Sequence, residues 1–135
     1  MFRFNSTYFF CFVALLITEI CIAMYVSGGF IRHSLGDFLV VILLYCFIRC
    51  FNIKLVTALV ITLLFAYMVE LLQYFNVVEK LHLQQNRVAS TVIGTSFSWG
   101  DILAYNLGMV LVIIIEKLAQ CISSRSQQKA DRRLS

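Results

Sequence analysis

The sequence predicts an all-α, polytopic membrane protein with four transmembrane helices. Of its 135 residues, 61% are hydrophobic and only 13% are charged, whereas a soluble domain carries about 25% charged residues. The mean hydropathy is +0.87, and four long apolar stretches supply the spans. This composition excludes a disordered tail, a disulfide-stapled secreted module and a nucleic-acid binder, so no nucleic acid is expected as a partner.

Each apolar stretch is read as one spanning helix. A span needs about 20 residues, and helices satisfy the backbone polar groups that lipid cannot. The second stretch is short, so its helix is expected to begin near Ser34 or Leu35, which places Asp37 at the membrane boundary. Only Asn52-Ile53-Lys54 separates helices two and three, which are therefore expected to be antiparallel neighbours. The predicted spans are residues 8–26, 35–51, 55–75 and 102–122.

Lysine and arginine residues predict the orientation. By the positive-inside rule, the side richer in these residues faces the cytoplasm. Both termini are therefore expected there, with residues 1–122 as a single four-helix transmembrane domain and residues 123–135 as a basic cytoplasmic tail. Eight of the eleven basic residues fall on that side: Arg3, Arg49, Lys54, Lys117, Arg125, Lys129, Arg132 and Arg133.

The tetrapeptide Ser-x-Gly-Asp occurs twice, at residues 34–37 and 98–101, each at the expected outer start of an inward-running helix. Two helical-hairpin repeats, related by an axis along the membrane normal, would explain the pattern. Two independently capped helices would also explain it, because Ser and Asp are favoured N-caps. A glutamate and then an arginine precede each tetrapeptide: Glu19 and Arg32, then Glu70 and Arg87.

Polar and charged residues are concentrated in the outer halves of the predicted spans. A charge at the bilayer centre costs about 2.5–3.5 kcal/mol on insertion scales, so carboxylates there mark candidate sites. Helical spacing places Gln73 and Tyr74 on the same face as Glu70. It places Asp101, Tyr105 and Gly108 on one face of the last helix, with Asn106 alongside. The candidate ligand-binding residues are Glu19, Arg32, Asp37, Glu70, Gln73, Arg87, Asp101, Tyr105 and Asn106.

We expect these residues to form an outer-leaflet pocket for the polar headgroup of an envelope lipid or a lipid-linked cell-wall precursor. Arg87 would clamp an anionic group as a bidentate donor, and Glu70 would accept or donate a hydrogen bond. The small residues Ala104 and Gly108 would let another helix or an acyl chain approach closely. The alternative is that arginine–carboxylate pairs only tie the helices together.

The segment between helices three and four, residues 76–100, is too long for a turn and too mixed in polarity to span. We expect a short interfacial or re-entrant element there, with Trp99 as an interfacial anchor. Two loop histidines, His33 and His82, do not predict a metal site. No cofactor is expected, and no nucleophile motif is present.

Three other functions stay open. A small proton-coupled transporter subunit would carry the proton on Glu19 or Glu70, with a homodimer forming the pathway, although the inner half of the spans offers no polar route. A membrane enzyme acting on a lipid-linked substrate would use Asp101 and Glu70 as acid and base, but nothing in the sequence requires catalysis. The chain could also be a structural partner in a larger membrane complex.

Several motifs resemble those of known families. Glu70-x-x-Gln73, Arg87 and Asp101-x-x-Ala104-x-Asn106-x-Gly108 resemble the signature of VanZ-like bacterial membrane proteins. With Gly36-Asp37, Asn86-Arg87 and Phe97-x-Trp99-Gly100-Asp101, the pattern resembles more closely the small uncharacterised bacterial family called domain of unknown function 2809. The resemblance covers roughly residues 4–116 and implies a small multi-pass protein of the bacterial cytoplasmic membrane. For VanZ-like relatives it implies a link to glycopeptide (teicoplanin) resistance.

Overall fold

The described part of the chain is all-α. The computed structural model describes residues 5–76, 80, 85 and 97–134, with Phe30, Ile31, His33 and Leu134 in the backbone only. These residues contain four helices, which we number in chain order: α1 Ser6–Tyr25, α2 Gly29–Cys50, α3 Leu55–Tyr74 and α4 Trp99–Leu134.

Three of the helices are long and apolar enough to cross a membrane. Within the described residues these candidate spans are Ser6–Tyr25, Leu55–Tyr74 and Trp99–Arg133, each with an 18-residue window whose mean hydropathy is 2.1, 2.3 and 1.9, respectively. Length and composition therefore support the prediction of a membrane protein. The predicted bounds of α1 and α3, residues 8–26 and 55–75, agree with the structure to within two residues.

Helix α2 is the centre of the bundle. It packs against α1, α3 and α4, and α3 also packs against α4. The Asn5 N–H donates to the Cys50 carbonyl at 3.0 Å, so α1 begins where α2 ends. The buried core contains Val41, Tyr45, Cys46, Ile48, Ala58, Ala66, Tyr105, Met109 and Val112.

Helix α4 runs parallel to α2 and touches it closely. A Cβ atom at Gly108 would lie 2.5 Å from Cγ1 of Val41 and 3.0 Å from the Phe38 carbonyl oxygen. Glycine is therefore required for α2 to pass against the α4 backbone, and Ala104, one turn earlier, is buried as well. The prediction of close helix approach at these small residues is confirmed.

The turn between α2 and α3 is as tight as predicted. Asn52 has a φ angle of 55°, a left-handed conformation that asparagine tolerates. Arg49 Nη1 donates to the Ile53 carbonyl at 2.5 Å and braces the turn. Helices α2 and α3 are therefore neighbours, as expected.

The start of α2 differs from the prediction, which placed it near residue 35. The helix begins at Gly29, because no proline interrupts residues 29–34 and the Arg32 N–H already donates to the Gly28 carbonyl at 3.1 Å. The tetrapeptide at 34–37 thus lies inside α2. The tetrapeptide at 98–101 does begin a helix, with Ser98 Oγ accepting from the Gly100 N–H at 3.2 Å. The expectation that both begin helices is wrong for the first copy, and the repeat stays a prediction.

The end of α4 also differs from the predicted end at residue 122. The helix continues to Leu134, because the predicted tail contains no glycine or proline. Residues 117–133 are all exposed. Arg132 and Arg133 lie in the last turn, where the helix dipole stabilises positively charged side chains. The basic tail is therefore a helical extension of α4.

Most of the segment between α3 and α4 lies outside the described residues. This includes the greater part of the predicted re-entrant element, His82 and Arg87. Trp99, the predicted interfacial anchor, is the first residue of α4 and is exposed.

Candidate functional site

The bundle has two ends that carry different polar groups. We call the end where α1 and α3 finish the Arg32 end, and the end where α2 finishes the Arg49 end. A cavity of about 670 Å³ lies at the Arg32 end, lined by α1, α2 and α3, with Tyr105 contributed by α4. Its polar lining includes five of the predicted site residues: Glu19, Arg32, Asp37, Gln73 and Tyr105.

Glu19 reaches the cavity from α1 and faces α2 across a glycine. A Cβ atom at Gly36 would lie 3.9 Å from Oε2 of Glu19, so the carboxylate lies over the α2 backbone. The other oxygen, Oε1, is buried and accepts no hydrogen bond from any described residue. A polar atom without a partner in such surroundings is costly, so Glu19 is positioned to accept a hydrogen bond from a ligand.

Arg32 lies in the first turns of α2 at the mouth of the cavity. Its side chain is exposed, and across the described ranges it forms no ion pair, with Glu19 or with any other carboxylate. Its guanidinium therefore keeps its N–H donors available for an anionic group.

A buried hydrogen bond joins α3 to α4 beside the cavity. The Tyr105 hydroxyl donates to Oε1 of Glu70 at 3.0 Å, and both side chains are almost fully buried, at 5% and 2% exposure. Gln73 follows Glu70 on the buried face of α3, and Asp101 precedes Tyr105 on the buried face of α4. The predicted face of α4 is therefore buried, whereas on α3 Tyr74, predicted on the same face as Glu70 and Gln73, is 64% exposed. Glu70 and Asp101 are not among the described residues that line the cavity.

Asn106 lies outside the cluster. It is exposed, its Oδ1 accepts from the Tyr67 hydroxyl at 3.0 Å, and its Nδ2 donates to the Ile102 carbonyl at 2.7 Å. One residue along a helix is a rotation of about 100°, which turns Asn106 away from the cavity that Tyr105 faces. Arg87, the predicted anion clamp, lies outside the described residues.

A second polar network, at the Arg49 end, was not predicted. Oε1 of Glu116 accepts hydrogen bonds from the hydroxyl groups of Tyr45, at 2.8 Å, and Tyr8. Arg49 Nη2 donates to the Tyr8 hydroxyl at 3.0 Å, and Arg49 Nε lies 3.9 Å from Oε1 of Glu116. The guanidinium carbon is also 4.7 Å from the centre of the Tyr8 ring. These contacts tie α1, α2 and α4 together.

Two sequence signals could have indicated this network. Tyr45 and Arg49 are four residues apart and therefore share a face of α2. Glu116 is the one carboxylate between Asp101 and Asp131 in the sequence, and it lies within a predicted span. Arg49 was counted only as a charge that determines orientation. The sequence predicts candidate polar residues at the Arg32 end only, and this network adds a second polar cluster at the opposite end of the bundle.

The geometry provides for hydrogen bonding and charge recognition. Within the described ranges no group of three or more His, Cys, Asp or Glu residues could hold a metal ion. The cavity offers a ligand the carboxylates of Glu19 and Asp37, the guanidinium of Arg32 and the polar groups of Gln73 and Tyr105.

A comparison with protein families places part of the chain in a known family. The model of the family described as "Protein of unknown function (DUF2809)" matches residues 26–109. This range contains α2, α3 and the start of α4, and it includes Arg32, Asp37, Gln73 and Tyr105 but not Glu19 or Glu116. Searches of curated proteins and of solved structures found no match.

Proposed function

The chain belongs to the DUF2809 family of proteins of unknown function, and from this premise we propose that it binds the polar headgroup of a membrane lipid. The ligand is an envelope lipid or a lipid-linked cell-wall precursor. The observation that carries the proposal is the cavity at the Arg32 end, where charged and polar side chains surround an open volume between apolar helices. Charged groups are costly in a membrane and tend to mark functional sites.

The proposal includes four spans in the bacterial cytoplasmic membrane. Helix α2 has 22 residues, about 33 Å at 1.5 Å per residue, which is enough for a hydrocarbon core of about 30 Å. The basic residues of the turn and the α4 extension lie beyond the Arg49 end. The positive-inside rule then puts that end and both termini in the cytoplasm and the cavity in the outer leaflet.

Two finer features belong to the same proposal. The chain between α3 and α4 would include a short interfacial or re-entrant element. Kinship with VanZ-like proteins is supported by the motifs Glu70-x-x-Gln73 and Asp101-x-x-Ala104, whose residues lie on buried faces of α3 and α4.

The alternative functions receive less support. A proton path would have to connect Tyr105 with Tyr45 and Glu116, which lies 11 residues beyond Tyr105 along α4, or about 16 Å. The buried apolar side chains of Val41, Met109 and Val112 occupy the interval. The enzyme alternative, with Glu70 and Asp101 as acid and base, needs a substrate beside these two residues. Neither of them is among the described residues that line the cavity.

Native mass spectrometry of the detergent-purified protein tests the proposal. Val40 lines the cavity, whereas Val60 on α3 does not; both are partly exposed, at 44% and 50%. We expect the wild type and Val60→Trp to retain a bound lipid, and Val40→Trp to lose it because the indole fills the cavity. Equal retention in all three proteins would refute the binding site. The same spectra report whether the protein is a homodimer.

Arg87 is tested separately, because its role is supported by the sequence pattern alone. We expect Arg87→Ala to retain less lipid than the wild type if Arg87 clamps the headgroup. Arg125→Ala is the matched control, since Arg125 is exposed on the α4 extension. If both variants retained the same amount of lipid, Arg87 would not be part of the binding site.

A further inference from the structure

Three ionisable groups line the cavity, Glu19, Arg32 and Asp37, and the guanidinium of Arg32 forms an ion pair with neither carboxylate. Glu19 enters the cavity from α1 and Arg32 from α2. The buried Oε1 of Glu19 needs a hydrogen-bond donor that the described residues do not provide. The guanidinium of Arg32 offers donors to an acceptor. A complementary ligand therefore carries a cation with N–H groups and an anion in the same headgroup.

The cavity is longer than a headgroup. Its lining on α2 extends from Gly29 to Leu44, 15 residues apart and thus about 22 Å along the helix. Beyond the charged residues the lining is apolar, from Leu43 and Leu44 on α2 and Phe65 on α3. The polar part of the groove is therefore followed by an apolar part, in the same order as the headgroup and the acyl chain of a lipid.

The groove has a side open to lipid. Helices α1 and α3 both line it, yet across the described residues their backbones make no contact with each other. A hydrocarbon chain can therefore enter between them from the bilayer without passing through water.

We propose that the groove binds an ethanolamine phospholipid, with its ammonium group on Glu19, its phosphate on Arg32 and one acyl chain along Leu43, Leu44 and Phe65. This inference rests on the proposed function and names the lipid class. The shared chemistry is a phosphate linked to a primary amine. We commit to the bilayer phospholipid as its source, because the groove accommodates a chain that begins directly below the headgroup.

Selectivity must come from the headgroup. Lipid tails are as apolar as leucine side chains, so moving a chain from the bilayer into the groove gains little free energy. A primary ammonium donates hydrogen bonds to Glu19, whereas the trimethylated ammonium of choline has no N–H group. A hydrogen bond to a charged group predicts about a tenfold or greater preference for the ethanolamine lipid.

The experiment is a competition in mixed micelles, read by native mass spectrometry. The lipids are ethanolamine, choline and glycerol phospholipids and diacylglycerol, all with identical acyl chains. We expect the wild type to retain the ethanolamine lipid over the choline lipid by about tenfold. Glu19→Gln should retain both equally, and Glu19→Asp should keep part of the preference. Arg32→Gln should lose the preference for ethanolamine lipid over diacylglycerol.

The control for charge is Asp131→Asn, because Asp131 is an exposed carboxylate on the α4 extension; this variant should behave as the wild type. Thermal unfolding of each variant in the same detergent confirms that it is folded. Equal wild-type retention of ethanolamine and choline lipids, or a preference for the glycerol lipid, would overturn this inference.

Further outcomes separate the two proposals. Unselective lipid that is still expelled by Val40→Trp would overturn the ethanolamine inference and leave the proposed function standing. Lipid retention that no cavity variant changes would overturn both. Displacement of the phospholipid by an amine-bearing lipid-linked peptide, or a lipid-free dimer that fills the groove, would also overturn the choice of phospholipid.

Discussion

The carboxylate of Glu116, at the Arg49 end, connects three helices. Glu116 of α4 accepts from Tyr8 of α1 and Tyr45 of α2, and Arg49 of α2 lies beside it. Removing one member of a largely buried ion pair leaves the other charge without compensation, whereas removing both avoids that penalty. The network should therefore contribute to stability as a unit.

We predict that Glu116→Leu lowers the free energy of unfolding by about 3 kcal/mol, because Arg49 is left without its counter-charge. The double variant Arg49→Met/Glu116→Leu should recover a large part of that loss. Unfolding in detergent with increasing denaturant measures both, with Asp131→Leu as the exposed control. If the double variant were as unstable as the sum of its single variants, the charges would not act as a pair.

At the residue scale, periodicity predicts faces but not partners across helices. Glu70 and Gln73 could be assigned to one buried face because the spacing fixes their relative direction. Tyr45 and Glu116 are 71 residues apart, and no local pattern indicates that they meet. Asn106 does not line the cavity for a related reason: it is exposed, because neighbouring residues of a helix point about 100° apart.

Helices α2 and α4 each contain a glycine with a different structural role. Gly108 lies where the α2 backbone would obstruct a side chain, while Gly36 has only ordinary contact distance to Glu19. The two positions therefore provide a matched pair in neighbouring helices.

We predict that Gly108→Ala destabilises the protein by about 1–3 kcal/mol, the usual cost of overpacking, because the Phe38 carbonyl cannot move aside. Gly36→Ala should stay within about 1 kcal/mol of the wild type, since alanine gains helix propensity. Thermal unfolding in one detergent compares them. Equal loss from both substitutions would contradict the close approach at Gly108.

At the element scale, hydropathy could predict where apolar helices lie but not where helices end. The bounds of α1 and α3 were predictable because their apolar stretches stop at turns. The start of α2 and the end of α4 were not, because those segments are polar and yet contain no residue that breaks a helix. A helix can continue through the interface into water, so the end of a helix need not coincide with the edge of the membrane.

For the whole molecule, the distribution of charge predicts orientation. We expect reporter fusions in the turn at Asn52 and after Ser135 to be active in the cytoplasm, and a fusion at Gly28 to be active outside. The reason is the excess of basic residues at the Arg49 end. A second set in which Arg125, Lys129, Arg132 and Arg133 are replaced by Gln should show mixed orientation. The opposite pattern in the unaltered chain would place the cavity in the inner leaflet.

The attachment of α1 has a mechanical consequence. Among the described residues its hydrogen bonds to the rest of the protein are made at one end, by Asn5 to Cys50 and by Tyr8 to Arg49 and Glu116. A 20-residue helix is about 30 Å long, so a tilt of about 5° about that end displaces the other by about 2.6 Å. Such a tilt about Tyr8, with α1 sliding on the α2 surface against which it packs, would move Glu19 and change the width of the groove at the Arg32 end.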